Sequence, residues 1–177
     1  MKYQKRMWGI TLLELMILIL ISASLASLSV PGFTFMKEKF RMNNSVNNLV
    51  HALHLARQKS RLNGTVISLC KSLTGDQCNN DAEWHDGWLV FGNTDADDPP
   101  VVDAGEPVYV STLQSGTIRI SANRQAFHIR PFGRRSTNGT FRYCSSRKSV
   151  QHQAVIISYT GKPRTQLSDS REVCEAV

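Results

Sequence analysis

Between Ile10 and Val30 the chain runs for 21 residues with a single charged side chain, Glu14, and this stretch constrains everything that follows. At about 1.5 Å of rise per residue, a helix of that length covers the roughly 30 Å hydrocarbon core of a bilayer. Lys2, Lys5 and Arg6 stand before it with no acidic residue. Positive charges stay on the cytoplasmic side, so the sequence predicts that the remainder lies across the membrane from them. A secretory signal places its small-residue cleavage site after the apolar region. Here the only processing-like junction, Gly9-Ile10, comes before it, so cutting there would remove the charges and keep the helix. A carboxylate one turn into a membrane segment costs several kcal/mol unless a cation meets it. The new amine on Ile10 is the nearest candidate to neutralise Glu14, within one chain or from a neighbour.

The string Gly9-Ile10-Thr11-Leu12-Leu13-Glu14, followed by the apolar helix and Pro31, resembles the class III signal of type IV pilins and type II secretion pseudopilins. The family usually has Phe after the glycine and accepts the Ile10 found here. The resemblance implies a leader over residues 1–9, cleavage after Gly9 by a prepilin peptidase, N-methylation of Ile10, and packing of the 10–30 helix into a filament core. Glu14 would then guide assembly, and Pro31 falls where such helices bend.

About 145 residues follow the apolar stretch, enough for one compact domain with its own core. Cys70, Cys78, Cys144 and Cys174 all lie beyond it, and an even number in an exported domain argues for two disulfides. Three connectivities are open. We favour Cys70-Cys78, which closes a short polar loop, and Cys144-Cys174, which ties a late strand to the tail. A zinc site is disfavoured because the nearest cysteines are eight apart and no Cys-x-x-Cys pair occurs. Neither metal nor cofactor is expected.

The net charge of +7 is segregated along the chain. From Ser72 to Glu106 there are nine acidic residues and no Lys or Arg; from Pro107 to Ser168 there are ten basic residues and no Asp or Glu. The second half has the sign of a surface that attracts polyanions.

Val46, Leu49, Val50, Leu53 and Ala56 keep a helical period, so the spacing predicts an amphipathic helix over 31–63. Arg57, Lys59 and Arg61 complement its C-terminal dipole, and Gly64 stops it. His51 and His54, without a carboxylate or cysteine beside them, read as a solvent-facing pair. From Gly64 to the end, 64–177, the pattern changes to a β-rich domain with about seven strands: Thr65 to Cys70, Gly87 to Phe91, Val108 to Leu113, Thr117 to Ser121, Ala126 to Ile129, Thr140 to Cys144 and Ala154 to Ser158. Asn138-Gly139 is a hairpin signal, and an antiparallel sheet is expected.

Leu53-His54-Leu55-Ala56-Arg57, Trp84 to Phe91 with its Gly87-Trp88 pair, and Gly139-Thr140-Phe141-Arg142-Tyr143-Cys144 resemble the FimT/GspH branch of the pilin superfamily. The implied fold is α+β and type IV pilin-like, a long N-terminal helix packed on an antiparallel sheet. Ser158 to Thr165 is read as a turn, because Gly161 and Pro163 interrupt the strand pattern and send Lys162 and Arg164 into solvent. It resembles the Gly-Arg-x-Arg motif of DNA-binding FimT proteins, with Lys162 in place of the first Arg; a lysine neutralises a phosphate as a point charge without the bidentate fork. Arg134 and Arg135 follow Gly133, Arg147 and Lys148 follow Cys144, and Arg142 lies between, so three basic loops are expected to converge. The Cys144-Cys174 bridge would hold the cations together. The resemblance implies a minor pilin that binds DNA without sequence preference for natural transformation, working with major and minor pilins. The alternative is a priming minor pilin or H-type pseudopilin that binds none.

No catalytic arrangement stands out, since neither Gly-x-Ser-x-Gly nor a Gly-rich phosphate loop occurs, and the chain does not read as an enzyme. Asn93 to Asp98 alternates oxygen ligands like the start of a calcium loop. Asp98 occupies the position that needs Gly, however, and Ala104 the position of the bidentate Glu.

Overall fold

The computed structural model describes residues 9, 11–113, 118–145, 150–168 and 174. Among the described residues one helix, α1 (Leu12–Asn63), is followed by eight strands: β1 (Val66–Lys71), β2 (Gly87–Asn93), β3 (Val108–Leu113), β4 (Ile118–Ala122), β5 (Ala126–Ile129), β6 (Gly139–Ser145), β7 (His152–Ile157) and β8 (Pro163–Ser168). The chain divides into two units, one ending at Lys37 and one beginning at Glu38.

In the first unit Thr11 caps α1, its hydroxyl accepting the Glu14 N–H at 3.3 Å. The helix is long and apolar enough to cross a membrane. Leu12, Leu13, Leu15, Met16 and the apolar residues after them through Ile21 are exposed, the reverse of a globular core helix.

In the second unit α1 ends at Asn63, where Gly64 adopts φ +68° and its N–H donates to Ser60 O at 3.0 Å. Only glycine takes that left-handed geometry without penalty, so the stop is written in the sequence. The helix buries Met42, Val46, Leu49, Ala52, Leu53 and Ala56. The expected seven strands are present with ends shifted by a residue or two, but they do not form one sheet. All pairings are antiparallel in two four-stranded sheets, ordered β3-β2-β1-β5 and β4-β6-β7-β8. The helix stripe, Ile67, Leu69, Trp88 and Val90 of the first sheet, and Ile120, Tyr143, Val155 and Ile157 of the second share one core. Phe127 of β5 stacks on Phe141 of β6 at 4.6 Å, and Trp84 meets Phe141 edge-on at 4.8 Å, so aromatic rings join the sheets.

β1 is buried on both faces. Its second face, Cys70 with Leu89 and Phe91, is covered by Cys78 and Val102 from the flanking loops. Two disulfides are formed, Cys70–Cys78 and Cys144–Cys174.

Candidate nucleic-acid interface

The β5–β6 loop and the β7–β8 turn are bonded to each other at one end of the domain. Ser136 N–H donates to Tyr159 O at 2.8 Å, and the buried Ser136 hydroxyl accepts the Arg130 N–H at 3.0 Å. Arg130 Nη1 donates to Arg135 O at 3.1 Å, and the Arg135 guanidinium lies 5.7 Å from the centre of the Tyr159 ring. The turn itself closes through Gly161 N–H to Ser158 O at 2.8 Å and Ser158 N–H to Lys162 O at 3.2 Å. Gly161 takes φ +71°, and a Cβ there would stand 3.2 Å from Ser136 Oγ, so a glycine lets the two segments meet. Arg57 of α1 reaches the same turn, its Nε donating to Thr160 O at 3.1 Å. Partial burial, and then the neighbouring Arg61, lower the Arg57 pKa, yet a guanidinium stays charged at any physiological pH.

Arg134, Arg135 and Lys162 are all exposed around this junction. Arg164 is exposed as expected, but on a strand and not in a turn. The chain does not stay in a turn there; β8 begins at Pro163, and Arg164 pairs with Ile156 of β7. Pro163 is compatible with a strand because β8 is an edge and Pro163 is its first residue. Directly paired residues share a face, so Arg164 joins the outer face of the second sheet, where Arg142 stands beside Ser121 and Ala154, and Arg119 beside Cys144. Arg142 is half-buried in a shallow depression with His152, Gln153, Gln166 and Cys174. The β7–β8 ladder fixes Arg164, and β7 separates β8 from the strand that carries Arg142. Arg147, Lys148 and Ile10 lie outside the described residues, and Glu14 sits in the first turn of α1 just after Gly9 and Thr11.

Two of the three expected basic loops therefore meet, and no Asp or Glu occurs between Pro107 and Ser168 to oppose them. An array of guanidinium and ammonium groups held on braced backbone suits the evenly spaced charges of a phosphate chain. Sequence reasoning missed Arg57, whose partner is 103 residues away, and passed over Arg119 and Arg130, although both lie in the acid-free run.

The acidic half is used differently. Glu106 accepts the Thr94 hydroxyl at 2.9 Å and the Asp103 N–H at 3.1 Å, while Asp97 accepts the Val101 N–H at 2.9 Å; these carboxylates cap the loop from Thr94 to Pro107. Asn93, the first ligand of the calcium pattern, is buried in β2 and turned to Ser68, its Nδ2 donating to Ser68 Oγ at 2.9 Å. Ser68 Oγ in turn lies 2.8 Å from His128 Nδ1, and His128 Nε2 lies 3.6 Å from Asp98. The serine thus meets the Nδ1 side of the ring and the Asp98 carboxylate lies on the Nε2 side. This reverses the order in Ser-His-Asp hydrolases, where Nε2 faces the serine. Ser68 is also 0% exposed and His128 4% exposed, so no substrate reaches them. The chain of groups is a latch that fastens the acidic loop to the first sheet. Cys144, His152 and Cys174 lie close enough to share an ion, but the two sulfurs are bonded to each other and offer no thiolate.

The family described as "Type II transport protein GspH" matches residues 45–161. No curated protein matches the sequence. Among solved structures, the type IV minor pilin FimU of Pseudomonas aeruginosa shares 18% identity at a TM-score of 0.50, covering 74% of this chain and 90% of that one. The minor pseudopilin EpsH of the Vibrio cholerae type 2 secretion system shares 12% identity at a TM-score of 0.50, covering 72% and 98%. At these identities the two likenesses establish the fold, a long N-terminal helix with antiparallel sheets.

Proposed function

This chain belongs to the GspH family, and from that premise we propose that it is a minor pilin of the FimT kind that captures DNA without sequence preference and supports natural transformation. In this reading a prepilin peptidase cuts after Gly9 and Ile10 is N-methylated. The retained helix holds the chain in the inner membrane with its β-rich domain in the periplasm. Glu14, neutralised by the new N-terminus, then guides it into a filament of major and minor pilins. Lys162, Arg164, Arg134 and Arg135, together with Arg142, Arg147 and Lys148, neutralise backbone phosphates. Contacts of this kind ignore sequence and weaken with salt.

One observation carries the reading: the hydrogen-bonded junction of the β5–β6 loop with the β7–β8 turn, which gathers cations from segments far apart in the chain and contains no acidic residue. The test is binding of the full chain, in non-ionic detergent, to DNA fragments of unrelated sequence. Lys162→Gln with Arg164→Gln removes two exposed charges and no core contact. The expected result is an affinity roughly 10-fold lower and a salt dependence shallower by about two charges, equal for every sequence. Unchanged affinity in the folded double variant removes the assignment. The family's own description favours a second reading, a pseudopilin of type II secretion with no DNA ligand, which predicts that even the unaltered chain leaves DNA unbound.

A further inference from the structure

Phe132 is 93% exposed, more than any other large apolar side chain among the described residues. A single exposed apolar residue is ordinary on a protein surface. Here two things set it apart, how it is held and what surrounds it.

Phe132 stands between Pro131 and Gly133 in a turn closed by Arg134 N–H to Pro131 O at 3.2 Å, with Gly133 at φ +87°. Proline fixes the backbone before the ring, and the positive φ that follows is available to glycine at little cost. The flanks are braced as well. Thr137 N–H donates to His128 O at 2.9 Å, Ser136 is bonded to Tyr159, and Arg130 to both Ser136 and Arg135. The ring is thus presented from a fixed support, and little order remains to be imposed when something lands on it.

Its neighbours in the loop are Arg134 and Arg135, and the turn bonded to the loop adds Lys162 and Tyr159, itself 56% exposed. An apolar protein or lipid contact calls for a continuous apolar patch; this ring is set among cations. An aromatic face beside positive charges matches a ligand that alternates flat bases with phosphates. In a duplex the base faces are already stacked on one another, and reaching one requires unstacking a step. A single strand offers them freely.

We propose that this end of the domain binds single-stranded nucleic acid, with a base stacked on the Phe132 ring and the flanking phosphates on Arg134, Arg135 and Lys162; the inference rests on the DNA-binding reading above. The full chain in non-ionic detergent is titrated, by fluorescence anisotropy, into a labelled oligothymidylate and into a duplex of equal length. Phe132→Ala, Phe132→Tyr and the Lys162→Gln, Arg164→Gln double variant are compared. Because Phe132 touches solvent, its replacement leaves the core intact.

The expected result is that Phe132→Ala weakens single-strand binding by about 5- to 100-fold, the range of base–aromatic stacking. It leaves duplex binding within about twofold, since the ring adds nothing where the base faces are already stacked. Phe132→Tyr, which keeps the ring face, restores the loss, and the double variant weakens both ligands. If the unaltered chain binds neither ligand, the DNA reading itself fails. If it binds both and Phe132→Ala changes neither, or changes both alike, DNA binding stands and the stacking assignment is overturned.

Discussion

Gly161→Ala tests whether the junction between the two basic segments is as tight as the distances imply. Gly161 adopts φ +71°, and left-handed geometry costs a residue with a Cβ roughly 1–2 kcal/mol. The new methyl would also stand 3.1 Å from Ile129 Cγ2 and 3.2 Å from Ser136 Oγ, a few tenths of an ångström inside ordinary contact. Neither neighbour can withdraw cheaply. Ile129 is fully buried, and Ser136 is held by its bonds to Arg130 and Tyr159. Crowding of this kind adds about 1 kcal/mol, giving a total of about 2–3 kcal/mol. For a domain of this size that lowers Tm by about 6–10 °C. Gly133→Ala is the control, because its φ is +87° but nothing lies within 4 Å of its Cβ. It should show the backbone cost alone, about 1–2 kcal/mol. Thermal melts of the full chain in non-ionic detergent, followed by near-ultraviolet circular dichroism, give the comparison. The crowded variant should also bind DNA more weakly, since relief comes only by moving the turn that carries Lys162 away from the loop that carries Arg135. Equal losses in the two variants, with DNA affinity unaltered, would refute the reasoning.

Tyr143→Phe should stabilise the protein by about 1–2 kcal/mol, because the Tyr143 hydroxyl is buried with no hydrogen-bond partner among the described residues and burial raises its pKa far above the usual phenol range; a lower Tm in the same melts would contradict this. Burial of His128 lowers its pKa below the ordinary 6.5, opposed in part by Asp98, so the unfolded chain holds more protons just below that pH. The latch's contribution is therefore full above about pH 6.5 and is lost as pH falls through the folded pKa, which urea titrations of the native chain and of His128→Gln at several pH values should show as a steeper acid loss in the native protein. Ser68→Ala leaves His128 Nδ1 without a partner and should cost about 1–3 kcal/mol, measured by the same titrations at neutral pH.

How much of this was legible beforehand follows from the range of each interaction. The end of α1 could be read because a helical stripe and the stop at Gly64 are local, and the strands because alternation is local too. The division into two sheets could not, since it depends on Phe127 meeting Phe141 and on which strands pair across long intervals. β8 was hidden because Gly161 and Pro163 read as turn residues; only Gly161 serves the turn, while Pro163 opens an edge strand where a missing donor does no harm. The basic site was half visible. Its charge lay in the acid-free run from Pro107 to Ser168, but the pairing of Ser136 with Tyr159 and of Arg57 with Thr160 has no local signal. The latch from Ser68 to His128 is invisible for the same reason, its partners lying 60 residues apart.

The central claim is that clustered cations on this domain hold a phosphate backbone, and salt tests it most directly. The affinity of the unaltered full chain for duplex DNA should be measured across about 50–200 mM salt and plotted as log affinity against log salt. Engagement of about four phosphates predicts a straight line with a slope near −3.6 and a loss of roughly 100-fold over that range. A flat line, or no binding at the lowest salt, would contradict the account.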